Sequence, residues 1–431
     1  MISIRAVLRK FAVLSLPMFA GLSSLVAAHA QAQMPTQPTL TDAIRGGTPL
    51  IDLRLRYENV DQENKPRNAS ATTLRARLGY QTGQYLGFSA LAEFDFLQHL
   101  GPEHFFNSFE GGSSALYPTI ADPDMVALNR LQLTYGARLT DTANNAPDLR
   151  FNLGRQRIIF SDQRFVGNVG WRQHEQTFDG ISVINTSLPA TTVTYAYITR
   201  VNRVFGPEAP NGTFDSHSHL INAVYGGLMP HLRLEGYSYL LDLRQSPTLS
   251  TATYGLRADG TIALGSSGLS ATYIAAFARQ HDHAKNPLPI SLNYYLGEAG
   301  LGFRGVTGSV GYEVLEGNGT IGFSTPLATL HIFQGWADVF LTTPANGIKD
   351  LYVKGGYGFA ANPIFTRVTA TVWYHDFSAE RVSGNYGHEW DAQIEAAVDA
   401  NVTVGVKYAA FQGSQAYPDK NIGWVYVGYR Y

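Results

Sequence analysis

The sequence predicts an all-β chain, a transmembrane antiparallel β-barrel of about 18 strands of the bacterial outer-membrane type. Three observations carry this. Apolar and polar residues alternate with a period of two from Pro49 to the C-terminus. Many alternating runs extend over about ten residues, the length of a tilted membrane-crossing strand (about 9–11), whereas soluble strands peak at roughly 5–6. The chain also opens with the pattern of an export signal.

At the front, Arg5, Arg9 and Lys10 precede an apolar run from Phe11 to Ala28, and Ala28-His29-Ala30 is a small-residue exit. This reads as a secretory signal peptide over 1–30, followed by a periplasmic lead over 31–48 and a barrel over 49–431. Nothing after Ala30 offers the roughly 18 consecutive apolar residues of a transmembrane helix.

The first strand shows the pattern. Ile51, Leu53, Leu55 and Tyr57 alternate with Asp52, Arg54, Arg56 and Glu58. Leu74, Ala76, Leu78 and Tyr80 alternate with Arg75, Arg77, Gly79 and Gln81. Phe88 to Phe96 and Trp390 to Val398 repeat the scheme. Successive strand side chains point to opposite faces, so one face is apolar and the other carries full charges. Short turns at Thr82-Gly83-Gln84, Gly226-Gly227, Gly265 to Gly268, Arg304-Gly305 and Asp399-Ala400 alternate with longer connections. That is the short-periplasmic, long-extracellular rhythm of barrels. Leu330 to Leu341 resembles a further strand, but an even strand count with both termini in the periplasm leaves no room for it. It is therefore assigned to a long loop, 317–347, which folds back on the barrel; 99–127 and 159–175 are the other long loops. Val425, Val427, Tyr429 and Tyr431 alternate to an aromatic end, the signal read by the barrel-assembly machinery.

Composition narrows the function classes. There is no Cys, which excludes disulfides, thiolate metal sites and Cys nucleophiles. The formal charge is −2, which offers no basic excess for nucleic acid. Charged residues make up 15% of the chain, against about 25% in ordinary globular proteins. No cofactor and no metal are expected. His217-x-His219 and His281-x-His283 lack an obvious acidic partner, and His375-Asp376 with Ser378 puts adjacent strand residues on opposite faces.

The inward face is where function is expected, because the outward face meets lipid. Arg54, Arg56, Arg75, Arg77 and Arg130 cluster on early strands among Asp52, Glu58, Glu93 and Asp95. Arg outnumbers Lys, 25 to 7. Its planar fork suits bidentate carboxylate binding, either bracing the wall or ranking anionic solutes. A second cluster lies in GRQRIIFSDQRFVGNVGWRQHEQTFDG, with Arg155, Arg157, Asp162, Arg164, Trp171, Arg172 and Glu175. Strict alternation from Phe151 and Leu153 turns Arg155 and Arg157 toward lipid; a bulge at Gly154 or a rim position would relieve that. A third stretch, FSTPLATLHIFQGWADVFLTTPANGIKDLYV, holds Trp336 and Asp338.

These two stretches, with LRLRYENV (Leu53–Val60), TLRARLGYQTG (Thr73–Gly83) and LAEFDF (Leu91–Phe96), resemble the alginate-export family of outer-membrane barrels from about Leu50 to Tyr431. The resemblance implies an 18-stranded, monomeric barrel. It also implies passage of an anionic polysaccharide or related solute through an Arg-rich pore. The residues themselves support a channel passing an anionic saccharide or organic acid by passive transport, in contact with outer-membrane lipid. The alternatives are a general diffusion porin, a barrel enzyme using His375 or Ser378, and a plugged structural barrel.

Overall fold

The computed structural model describes residues 39–102, 104–107, 113–140, 147–414 and 416–431. The proposed signal peptide, and the lead up to residue 38, lie outside them. A six-residue helix, α1 (Leu40–Arg45), comes first. Thr39 and Asp42 cap it reciprocally, each side chain bonding the other residue's backbone N–H. The Gly83 N–H bonds to the Ala43 carbonyl at 2.8 Å, which holds α1 at the end of the barrel that carries the short turns.

Eighteen strands follow. They are β1 (Thr48–Gln62), β2 (Ala69–Gln81), β3 (Phe88–His99), β4 (Met125–Ala137), β5 (Leu149–Gln156) and β6 (Thr177–Asn185). Next come β7 (Thr191–Asn202), β8 (Thr213–Tyr225), β9 (Arg233–Leu240), β10 (Thr251–Ala263), β11 (Leu269–Asp282) and β12 (Ser291–Phe303). The last six are β13 (Val306–Leu315), β14 (Ile348–Phe359), β15 (Arg367–Ser378), β16 (Asn385–Ala397), β17 (Val402–Gly413) and β18 (Lys420–Arg430). Each pairs antiparallel with its chain neighbour, and β18 returns to β1 from Asp52↔Arg430 to Gln62↔Lys420. The sheet is closed, so no strand edge faces lipid. The expected 18-stranded barrel is borne out.

Register fixes the two faces. Leu55, Tyr57, Leu74, Leu78, Phe94 and Phe96 are exposed on the outside. Arg56, Glu58, Arg75, Arg77, Glu93 and Asp95 are buried within. This is the inverse of a soluble core, and the exposed apolar belt marks the surface that lipid covers. The tightest turn, Arg304-Gly305, has φ of +48° and +87°, the doubly left-handed geometry that suits a two-residue hairpin.

Residues 316–347 form no wall strand. A short 3-10 turn, Leu330–Ile332, lies among them, and the segment enters the lumen. Its backbone needs partners there. The Trp336 N–H bonds to Asp391 at 3.1 Å and the Ala337 N–H to Glu389 at 2.6 Å, both on β16. The Ser324 N–H bonds to Gln280 on β11 at 2.8 Å. The loop is therefore anchored on two separate arcs of wall. Residues 157–176 also enter the lumen and meet it through the Val166–Leu327 bridge and the Gly167 N–H to Leu327 carbonyl bond at 2.9 Å.

Gly335 sits at φ +80°, and a Cβ there would stand 2.4 Å from the Glu389 carboxylate. Gly335→Ala is expected to loosen the seat of this loop by about 1–2 kcal/mol while the barrel stays closed. Limited proteolysis of the folded, heat-modifiable protein checks this. Protection of 317–347 equal to wild type would refute it.

Candidate functional site

The arginines on β1 to β4 stack along one arc of the inner wall. Arg54 stands opposite Arg75 in register, and Asp52 opposite Arg77. Like charges directly across a sheet repel, and the partners chosen reflect that. Arg75 turns diagonally to Asp52. Arg77 makes a two-pronged pair with Asp95 at 2.5 and 3.0 Å. Arg54 leaves the wall altogether. Its guanidinium donates to the Trp171 carbonyl at 2.9 Å, the Arg172 carbonyl at 2.5 Å and Gln173 Oε1 at 2.8 Å. Arg56 donates to the Trp171 carbonyl at 2.7 Å and pairs with Asp122 and Glu58. Arg54 and Arg56, expected to line a pore, are thus largely consumed in holding the 157–176 loop.

Glu175 is the centre of a second group. It is fully buried and accepts from Arg157 at 2.7 Å, Asn129 at 2.6 Å and Asn168 at 2.6 Å, with Arg77 at 3.3 Å. Burial raises its carboxyl pKa, but Arg77 and Arg157 outweigh that and hold it below the usual range. Arg130 grips Glu93 through both oxygens at 2.7 Å, and Asn129 reaches the same carboxylate at 2.7 Å. Consecutive strand residues can share a face here because the ladder shifts register between Glu93 and Phe94, leaving Asn129 as a bulge.

Arg155 and Arg157 part company. No bulge falls at Gly154: the β4–β5 and β5–β6 ladders pass through it in register, although its φ is +113°. Arg155 keeps the outward parity of Phe151 and Leu153, opposite the exposed Leu131. It pairs with Asp179 at 2.7 Å, which offsets the cost of its position. Grouping Arg155 with the loop residues is therefore corrected. Arg157 follows the end of β5 at Gln156, where the chain leaves the wall and turns inward.

The third group clamps both lumen loops to β17 and β18. The Lys407 ammonium lies 3.6 Å from the Trp336 ring centroid, 4.4 Å from Trp171 and 5.5 Å from Trp424. Such a cage favours a cation removed from water. His331 stacks on Trp171 at 5.0 Å, with its Nε2 2.7 Å from Lys407 Nζ and its Nδ1 2.9 Å from Asp338. Burial and the neighbouring ammonium push the His331 pKa down to about 3. The neutral ring can accept from Lys407 and donate to Asp338 at once. Asp338 also takes Arg172 at 2.9 Å, and Arg172 takes Glu58 at 3.2 Å. On the far side, Arg164 pairs with Glu313 at 2.7 Å, and Asp162 pairs with Arg257 at 2.5 Å.

Beside the first two groups lies a chamber of about 690 Å³. Seven arginines line it: Arg54, Arg75, Arg77, Arg130, Arg157, Arg367 and Arg430. Four side-chain carboxylates face them: Asp52, Glu93, Glu175 and Glu395. Arg367 has no ion-pair partner among the described residues.

Lys407, His331, Trp424, Asn129, Asp122, Arg367 and Arg430 were not singled out from the sequence. Inward parity marks Lys407 between the outward Val406 and Tyr408, so period alone could have found it. Nothing local announces Asp122 or the bulge at Asn129. The histidines of the metal and hydrolase readings are placed elsewhere. His217 and His219 lie on the outer face, hydrogen-bonded to Tyr197 at 2.6 Å and Tyr195 at 2.9 Å. His375 is buried on the inward face against Asp350 at 3.0 Å, and Ser378 has the opposite parity.

No protein-family model and no curated protein matches the chain. Solved structures do. Acinetobacter baumannii OccAB2 superposes with a TM-score of 0.69 at 15% identity, over 90% of this chain and 98% of that one. Pseudomonas aeruginosa OccK3 (OpdO) gives 0.66 at 15%, over 91% and 97%. P. aeruginosa OpdK, solved with vanillate, gives 0.64 at 14%, over 89% and 98%. These findings overturn the alginate-export resemblance. Its motifs, such as Leu53-Arg54-Leu55-Arg56, repeat what apolar-out, charge-in parity imposes on any barrel with a polar interior, so they do not identify a family.

Two outcomes follow from the buried groups. Glu175→Gln leaves Arg77 and Arg157 short of a buried countercharge and is expected to cost about 3–5 kcal/mol; denaturant unfolding in detergent measures it, and a change below about 1 kcal/mol would refute the role. His331 is kept neutral in the fold, with a pKa of about 3 against an ordinary 6.5. Unfolded chains therefore bind its proton first, and the loop seat weakens as pH falls below about 6.5. Glu175 adds to this only below about pH 4.3. His331→Gln should lose less loop protection than wild type on going from neutral pH to about pH 5. An equal loss in the variant would exclude His331 as its source.

The chain is an 18-stranded antiparallel barrel that shares its fold with solved outer-membrane porins.

Proposed function

We propose that the barrel is a passive channel for small organic anions, with the arginine-lined chamber as its selective segment. The observation that carries this is the excess of seven arginines over four side-chain carboxylates around one 690 Å³ space. Braced guanidiniums are held in place, yet their remaining N–H groups and their net charge act on a solute in that space. Several shallow contacts along a wall suit conduction better than one deep site, because a solute must also leave. Two loops crossing the lumen favour a small carboxylate over a polymer. The bound vanillate of OpdK, itself a small carboxylate, is in keeping with this reading. A general diffusion porin is the rival, and it would show no dependence on the arginine excess. No step of bond chemistry is called for in either reading.

Arg367 is the most informative position, because neutralising it removes charge without breaking an ion pair. In planar bilayers under a salt gradient, the wild type should give an anion-selective reversal potential, and benzoate should reduce the current. Arg367→Gln should move the reversal potential toward zero and weaken the block. Equal potentials for wild type and variant, with no block, would favour the general porin.

A further inference from the structure

A second chamber, about 360 Å³, lies against a different arc of wall, formed by β10 to β15 and closed by the lumen loops. Its size falls within the range of small-molecule sites, about 300–1,000 Å³. Its apolar lining is aromatic and aliphatic: Trp373, Tyr352, Phe333, Ile332, Leu296 and Ile274. Tyr352 and Trp373 stack with centroids 6.0 Å apart, which makes a flat apolar wall.

Most charged groups of this chamber are already matched. Arg257 holds Asp162 at 2.5 Å and Asp259 at 2.9 Å. Glu313 is taken by Arg164 at 2.7 Å, Asp350 by His375 at 3.0 Å. Two groups differ. The Lys354 ammonium lies 4.4 Å from the Trp373 ring centroid and makes no ion-pair contact with a carboxylate among the described residues. Glu298 accepts one hydrogen bond, from the Tyr352 hydroxyl at 2.5 Å, and makes no ion-pair contact among the described residues. A lysine and a glutamate thus line one cavity without forming an ion pair with each other. Glu298 acts on Lys354 across the cavity, but short of ion-pair contact the two charges gain only part of the compensation that direct pairing brings.

We propose that this chamber binds an amphoteric solute with an aromatic side chain, such as a free aromatic amino acid. Its carboxylate meets Lys354, its ammonium meets Glu298, and its ring lies among Trp373, Phe333 and Tyr352. A simple anion would satisfy Lys354 but face the Glu298 charge, and a simple cation would do the reverse. Only a ligand carrying both charges satisfies both walls. This site is separate from the arginine chamber and adds a solute class to the one proposed there.

Calorimetric titration of the full, folded barrel in detergent at neutral pH tests this with three probes: L-phenylalanine, 3-phenylpropanoate, which lacks the ammonium, and 2-phenylethylamine, which lacks the carboxylate. Phenylalanine should bind about tenfold or more tightly than either analogue. Glu298→Gln should erase its advantage over 3-phenylpropanoate, and Lys354→Met its advantage over 2-phenylethylamine. Heat-modifiability of both variants verifies that the barrel is intact, and retained binding of the unaffected analogue verifies the chamber. Equal affinity for phenylalanine and either analogue, or unchanged phenylalanine affinity in both variants, would overturn the assignment. Anion selectivity without phenylalanine preference sinks this proposal alone; phenylalanine preference without anion selectivity sinks only the preceding one.

Discussion

Backbone hydrogen bonding across the β1–β18 seam is the interaction on which the rest depends. In hydrocarbon an unpaired N–H or C=O costs several kcal/mol, so the sheet must close on itself. Closure fixes register, and register fixes which side chains face lipid. A slip of one residue at the seam would turn Arg54, Arg56 and Glu58 outward and Leu55 and Tyr57 inward. The charges that parity sends inward then pose the next problem: a lumen crowded with arginines and carboxylates must satisfy them locally.

The two lumen loops meet that need, and the wall meets theirs. Arg54 and Arg56 pair with carbonyls that the 157–176 loop would otherwise leave orphaned. Glu389 and Asp391 do the same for N–H groups of the 317–347 loop. Lys407 is the point where both loops and the wall converge, through Trp171, Trp336 and Trp424. The interior is therefore a cross-braced solid around spaces of unequal chemistry. One space keeps a surplus of arginine, and another keeps a lysine and a glutamate that line it without ion-pair contact.

Much of the barrel was legible because a period of two is a local property. The strand set, the alternation of short turns and long loops, and the exclusion of Leu330 to Leu341 from the wall all follow from parity and turn chemistry. So does the inward placement of Arg54, Arg56, Arg75, Arg77, Glu93 and Asp95. Arg155 and Arg157 show the limit. Two residues apart, they share a parity on paper, yet the strand ends between them and only Arg157 reaches the lumen. Asn129 shows it again, since a bulge is a property of two strands together. The alginate-export resemblance failed for a related reason: motifs written by parity recur wherever parity does.

By itself, the sequence determined the barrel, its strand number and the polarity of its two faces, because closure and alternation are imposed residue by residue. Tertiary structure alone decided which arginines are spent as braces and which surround open space. Several of those partners lie more than a hundred residues apart, as with Arg54 and Gln173 or Arg164 and Glu313. Pairing at that range depends on how loops fold back across the lumen, a geometry that no local pattern encodes.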